Sequence, residues 1–326
     1  MTMTGLARGA LLAVGCLAVC LTAASGQTYP SRNVQIVVPF APGGPTDIVA
    51  RRIADKLQQN LGKPFIVENR PGGATMIGAE AVMRAPPDGY TILCGTSTTF
   101  TLAPGLYRNR NFNPKTTLAP ILIAVETPLV LVSSNVTRTN TFAEFLHYAK
   151  ANPGKLGFAS VGAGTIAHLM GEVLKDSTGL DIQHIPYKGS APAIAAMVTG
   201  EVAMMFDQLG SVLPFIRSGQ AQPLAVAAPR QYAELPGVPT TVALGLPDLT
   251  RTIWTAFAAP TGTPPEVIET LNREINKVLA DPALAGAFVE NGMYVVGGSA
   301  DRFRDTWYSD EAFWATAVTK TGIQLQ

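Results

Sequence analysis

The chain is poor in charge, histidine and cysteine, and each shortage closes off a class of function. Only 14% of its 326 residues are charged and no basic run of five or more occurs, so nothing marks it for nucleic acid or an anionic lipid surface. Its three histidines, His147, His168 and His184, stand apart, and no His/Cys/Asp/Glu group has the spacing of metal ligands. His168 and Glu172, four residues apart, make one lone pair. The G-x-S-x-G turn on which many hydrolases expose a serine is missing. No cofactor, metal or catalytic chemistry is expected, and neither an internal repeat nor a low-complexity segment occurs.

Long apolar runs are also scarce, with one exception. Arg8 is followed by GALLAVGCLAVCLTAAS, which has the length of an export-signal core and is short for a membrane span. Ala24 and Gly26 suit the −3 and −1 positions, so residues 1–26 read as a cleaved signal peptide and the chain as periplasmic. Cys16 and Cys20 each lack half of a lipid-attachment pattern: Cys20 has Leu17 but follows Val19, and Cys16 follows Gly15 but has Ala13. Cleavage leaves Cys94 alone, without a disulfide partner, as a small hydrophobe ending the strand-like YTILC. It also removes Arg8 and no acid, turning 24 basic and 23 acidic side chains into 23 of each. Anion recognition must then come from oriented local groups, not from a global field.

What is present is a large apolar content, 47%, arranged as alternating short strands and helices. NVQIVVPF reads as a strand and 46–61 as a helix with Val49, Ile53, Leu57 and Leu61 on one face and Gly62 at its end. PFIVEN, a helix at 75–84 and YTILCG complete a βαβαβ rhythm, which implies a parallel sheet with ligand loops at the strands' carboxyl ends. The rhythm restarts after 125 with the strand 128–134, a helix in 142–156, the strand LGFASV, a helix after Gly162, the strand 181–186, a helix at 190–199 and strands at 202–206 and 222–229. Residues 234–249 read as a surface loop or crossover. The strand TIWTAFAAP precedes a helix for which Thr263 reads as cap, Pro264 as first residue and Glu266 as capping-box partner. Two lobes fit this order, 27–125 with 250–326 and 126–249, with crossings near 124–128 and 229–253.

Two glycine turns carry the functional signal. In VVPFAPGGPTDIVAR, Gly43 and Gly44 join a strand to a helix capped by Thr46 or Asp47. The unpaired N–H groups of a helix start attract anions, and glycine lets a ligand come close. Pro42, Gly43, Gly44 and Thr46 are therefore candidates for a carboxylate. Thr96, Ser97 and Thr98 follow the third strand at the same sheet edge and offer hydroxyl donors. Downstream, LGFASVGAGTIAHL places Ser160, Gly162, Gly164, Thr165 and His168 at a second helix entry. Its G-x-G-x-x-A spacing is also that of a dinucleotide loop, but no acidic residue ends the next strand. Tyr187 reads as a cleft wall. Asp207 reads either as acceptor for a ligand proton or as a helix cap.

The motifs VPFAPGGPTDIVAR, VENRPGGA, PPDGYTIL, FAEFLHYAKANPGKL, GAGTIAHLMGE, HIPYKGSAPAI, VAMMFD, LPGVPT and APTGTPPEVIETLN follow one another along the mature chain. In this order they resemble the extracytoplasmic receptors of tripartite tricarboxylate transporters, the TctC or Bug-type solute-binding proteins. The resemblance implies an α/β, two-lobed type II periplasmic-binding-protein fold, with parallel-sheet lobes joined by a two-crossover hinge. It further implies closure on a small carboxylate (di-, tri- or aromatic) and delivery to one large and one small integral membrane subunit, by a monomer. A sensor of the same fold, reporting occupancy to a membrane kinase, is the alternative. The segment LAPGLYRNRNFNP, with Arg108 and Arg110, is more basic than in many such receptors.

Overall fold

The computed structural model describes residues 29–106 and 112–321. The leader with Cys16 and Cys20, and the pair Arg108 and Arg110, lie outside the described residues. Among the described residues no helix is long and apolar enough to cross a membrane.

The first half follows the alternation of its sequence: β1 (Val34–Val38), α1 (Pro45–Leu61), β2 (Phe65–Asn69), α2 (Met76–Met83) and β3 (Thr91–Thr96). β1 pairs in parallel with β2 and with β3. The expected face of α1 is buried at Val49, Ile53 and Leu57, and Gly62 ends the helix in the left-handed conformation. Its start differs from expectation, since neither Thr46 nor Asp47 caps it. Pro45 takes the first helical position and keeps Gly44 extended, at φ −79° and ψ 170°, so Gly44 is the cap.

The chain then runs through β4 (Leu118–Ser134), α3 (Phe142–Lys150), β5 (Leu156–Ser160), α4 (Ile166–Thr178), β6 (Ile182–Pro186) and α5 (Ser190–Thr199). It continues with β7 (Met204–Gln208), α6 (Leu209–Arg217), β8 (Ala221–Ala227), β9 (Thr252–Pro260), α7 (Pro265–Leu279), α8 (Pro282–Val289), β10 (Tyr294–Val295) and α9 (Ala300–Thr321). Here β5 pairs in parallel with β6 and β7, repeating the parallel trio of the first half. The sheets are mixed rather than purely parallel, because β4 and β9 join both trios antiparallel.

β4 is the structural axis. Its first part, Leu118 to Pro128, pairs with β9, and its second, Leu129 to Ser134, pairs with β7 and β8. The sequence pattern shows only the second part, because Pro120 and Pro128 break up the apolar run. The β4–β9 ladder shifts register between Pro120 and Leu122 and again between Ile123 and Val125, while Pro128 stays in register opposite Thr252. A further correction concerns α7. Thr263 does not cap it; its hydroxyl donates to the Pro260 carbonyl at 2.8 Å. Pro265 holds Pro264 extended, so Pro264 is the cap and the helix starts one residue later. The helices α6, α8 and α9 have no counterpart in the sequence reading.

α9 ties the two halves together. Phe303 and Trp307 pack with Phe100 and Trp254 in the core of the first half, while Trp314, Ala317 and Val318 enter the core built around β5 and α4. Trp307 donates its indole N–H to the Phe100 carbonyl at 2.9 Å. Trp314 is 1% exposed, so truncation to alanine leaves a large cavity and is expected to cost about 3–5 kcal/mol. Denaturant unfolding of Trp314→Ala checks this, and a loss below ~1 kcal/mol would show that α9 is not part of the second core.

Candidate functional site

A cavity of about 360 Å³ opens at the carboxyl ends of β1, β3, β5 and β7, with Leu129 of β4 and Ile253 of β9 in its lining. The first half contributes Phe40, Gly44, Pro45, Thr46, Thr75, Thr96 and Thr98, and the second Val161, Gly164, Thr165, Ile166, Asp207 and Gln208. No Lys, Arg or His lines it, and Asp207 is its one charged lining residue among the described residues. No group of three or more His, Cys, Asp or Glu side chains among the described residues could hold a metal ion.

The wall at α1 is set by Asp47. This buried carboxylate accepts from the Gly43 N–H, from Arg51 Nε and from Asn69 Nδ2, each at 2.9 Å. Burial pushes its pKa up, but these bonds outweigh burial and hold it below the usual carboxylate range. Asn69 also donates to the Phe40 carbonyl, at 3.1 Å, so the loop between β1 and α1 is fixed from behind. The consequence for the sequence candidates is direct. The Gly43 N–H is engaged by Asp47, and Pro42 and Gly43 are exposed outside the cavity, whereas Gly44 and Thr46 line it. Ile48 N–H already bonds the Gly44 carbonyl, so the unpaired donors of this helix start are those of Thr46 and Asp47.

Beyond β3 the chain turns into a π-helical segment, Thr98–Leu102. Thr96 and Thr98 reach the cavity. Ser97 does not line it; the residue is fully buried and its Oγ has no partner.

The opposite wall is the start of α4. Thr165 caps it, accepting from the His168 N–H at 3.4 Å and donating to the Gly162 carbonyl at 2.8 Å. The Gly164 N–H donates to His168 Nδ1 at 3.0 Å, which makes His168 a neutral ring protonated at Nε2. His168 stacks on His184 with ring centroids 3.6 Å apart, and His184 Nε2 lies 2.7 Å from Ser160 Oγ. Ser160 in turn donates to the Gly162 carbonyl at 2.9 Å. Ser160, Gly162 and His168 therefore hold the loop from behind and do not line the cavity. Tyr187 also stands outside it, with its hydroxyl on Glu201 at 2.8 Å.

Asp207, at the end of β7, is 2% exposed. One carboxylate oxygen accepts from the Gln208 N–H at 2.7 Å, and the other, Oδ2, has no partner. Burial raises its pKa to about 6 against the pull of that N–H and of the Ser190 hydroxyl. Thr75, Gln208, Leu129 and Ile253 were not among the sequence candidates. Gln208 follows from the strand-end rule that singled out Asp207; Leu129 in the middle of β4, Ile253 at the start of β9 and Thr75 carried no such signal.

Burial lowers the pKa of both His168 and His184 to about 4, aided at His168 by Lys175 and at His184 by His168. A base whose pKa is lower folded than unfolded adds stability at high pH. This contribution is complete above the ordinary 6.5 and is lost as pH falls through about 4. NMR titration of the imidazole protons should find both rings neutral at pH 5.5; either one half-protonated there would contradict the stacked pair.

Comparison with known proteins accounts for the same architecture. Residues 49–319 match the family described as tripartite tricarboxylate transporter family receptor, TctC. Protein BugT of Bordetella pertussis is 38% identical over 304 residues, 93% of this chain and 93% of that protein. The structure of R. palustris Rpa4515 with adipate superposes with a TM-score of 0.82 at 31% identity, covering 91% of this chain and 99% of that one. The periplasmic binding protein BugD superposes with a TM-score of 0.79 at 34% identity, covering 91% and 100%. The two-lobed α/β architecture is that of these periplasmic-binding-protein-type relatives. With its motifs in order along the chain and the family matched over most of its length, the protein belongs to the TctC family of solute-binding receptors.

Proposed function

We propose that the protein is a periplasmic receptor that takes one small carboxylate between its two lobes and delivers it to the large and small membrane subunits of a tripartite tricarboxylate-type transporter. The observation that carries this reading is the pairing of two helix starts across one cavity. α1 and α4, 17 and 13 residues long, begin on opposite walls of a space with no cationic side chain. An anion there is held by N–H groups, hydroxyls and helix dipoles. The bound adipate of Rpa4515, 31% identical, supports the carboxylate class.

In this reading Gly44, Thr46, Thr96, Thr98, Thr165 and Asp207 face the ligand. Gly43, Ser160, Gly162, Gly164 and His168 position the two loops, while Pro42, Ser97 and Tyr187 flank them. The lobes are 27–125 with 250–326 and 126–249, and the end of α9 reaches across to the second. Closure brings the helix starts together around the ligand, and the closed surface is what the membrane subunits recognise.

A thermal-shift screen of residues 27–326 against mono-, di-, tri- and aromatic carboxylates, with calorimetry on each hit, tests the class. A saturable shift with one carboxylate group is expected; shifts confined to cationic or neutral solutes would overturn it. Gly164 has φ 74°, so Gly164→Val strains the loop and disturbs the bond to His168. Its affinity for the hit is expected to fall at least about tenfold, with a smaller relative loss of stability. Unchanged affinity would remove the second helix start from the site.

A further inference from the structure

One residue of the cavity wall holds a backbone conformation that its own side chain disfavours. Thr75 follows Gly72 and Gly73 and precedes α2, with φ 81° and ψ −11°. For a β-branched residue this left-handed geometry is an outlier, whereas glycine adopts it freely. The position is also the cap of α2, where a threonine hydroxyl ordinarily accepts from a helix N–H, yet Thr75 makes no such bond. Its side chain is 5% exposed and its Oγ1 has no hydrogen-bond partner. The residue lines the cavity between the two helix starts.

Neither folding role of a threonine is therefore served. The backbone would be better off with glycine, and the hydroxyl caps nothing. Strain of this kind persists where surrounding structure imposes it, and it clusters at ligand clamps. A buried hydroxyl without a partner is costly until something supplies one. The cavity is the space in which a partner would sit.

We propose that Thr75 is a specificity-determining residue of the receptor site, its hydroxyl donating to an oxygen of the bound carboxylate beside the start of α1. The inference rests on the receptor reading above and adds to it a first-lobe contact that the glycine loops do not announce.

Calorimetry of the mature chain, Thr75→Gly and Thr75→Ser with adipate, malate, citrate and benzoate tests it, with Tm measured alongside. Thr75→Gly relieves the backbone and should keep or raise Tm, while affinity for the acid that the wild type binds falls about tenfold, as for loss of a hydrogen bond to a charged group. Thr75→Ser keeps the hydroxyl and should stay within about threefold of wild type. Unchanged affinity in Thr75→Gly overturns the inference, as does an equal loss in both variants, or a fall in Tm that accompanies the loss. A wild type that binds none of the four acids overturns the carboxylate reading itself, before any variant is made.

Discussion

The antiparallel pairing of β4 with β9 is the constraint on which the rest of the molecule depends. A chain that builds two sheets and returns to the first must cross between them, and unpaired backbone at a buried crossing would be costly. These two strands make the crossing as a paired ladder, Leu118–Pro128 against Thr252–Pro260. β4 then continues into the second sheet beside β7 and β8. Because the crossing strands fix where the sheets meet, they also fix which strand ends face one another. Leu129 and Ile253 lie beneath the cavity for that reason.

Above this floor the chemistry is made almost wholly from backbone and hydroxyls. Charged and titratable groups stand behind the loops: Asp47 grips Gly43, and the His168–His184 stack grips Gly164. They spend their hydrogen bonds on shape and leave the inner faces neutral. In the proposed receptor reading, such a site would bind an anion without a matching cation, whose desolvation would otherwise oppose binding. Asp207 is the exception, a buried carboxyl inside an otherwise uncharged wall.

Much of this was legible in the sequence, and the misses share a few physical causes. The strands and helices with clean periodicity, such as 46–61 and 190–199, stand within a residue of where the pattern puts them. Prolines account for the displaced details. Pro45 and Pro265 each hold the preceding residue extended and so move the helix cap, and Pro120 and Pro128 conceal half of β4. At the site, the sequence located the glycine turns but not the direction of each N–H, because the groups that engage the Gly43 and Gly164 N–H are side chains four residues away, behind the loops. Thr75 was invisible for a different reason: its significance lies in a backbone angle, and a threonine two residues beyond a glycine pair announces no such angle.

The central claim is that helix starts from both lobes hold one anion in a cation-free cleft. The most direct measurement is a crystal structure of the mature protein with the carboxylate that binds it most tightly. Ligand oxygens within hydrogen-bonding distance of the α1 start and of the α4 start in the same closed molecule are the expected result. A ligand held by one lobe alone, or paired with a lysine or arginine drawn into the cleft, would contradict the account.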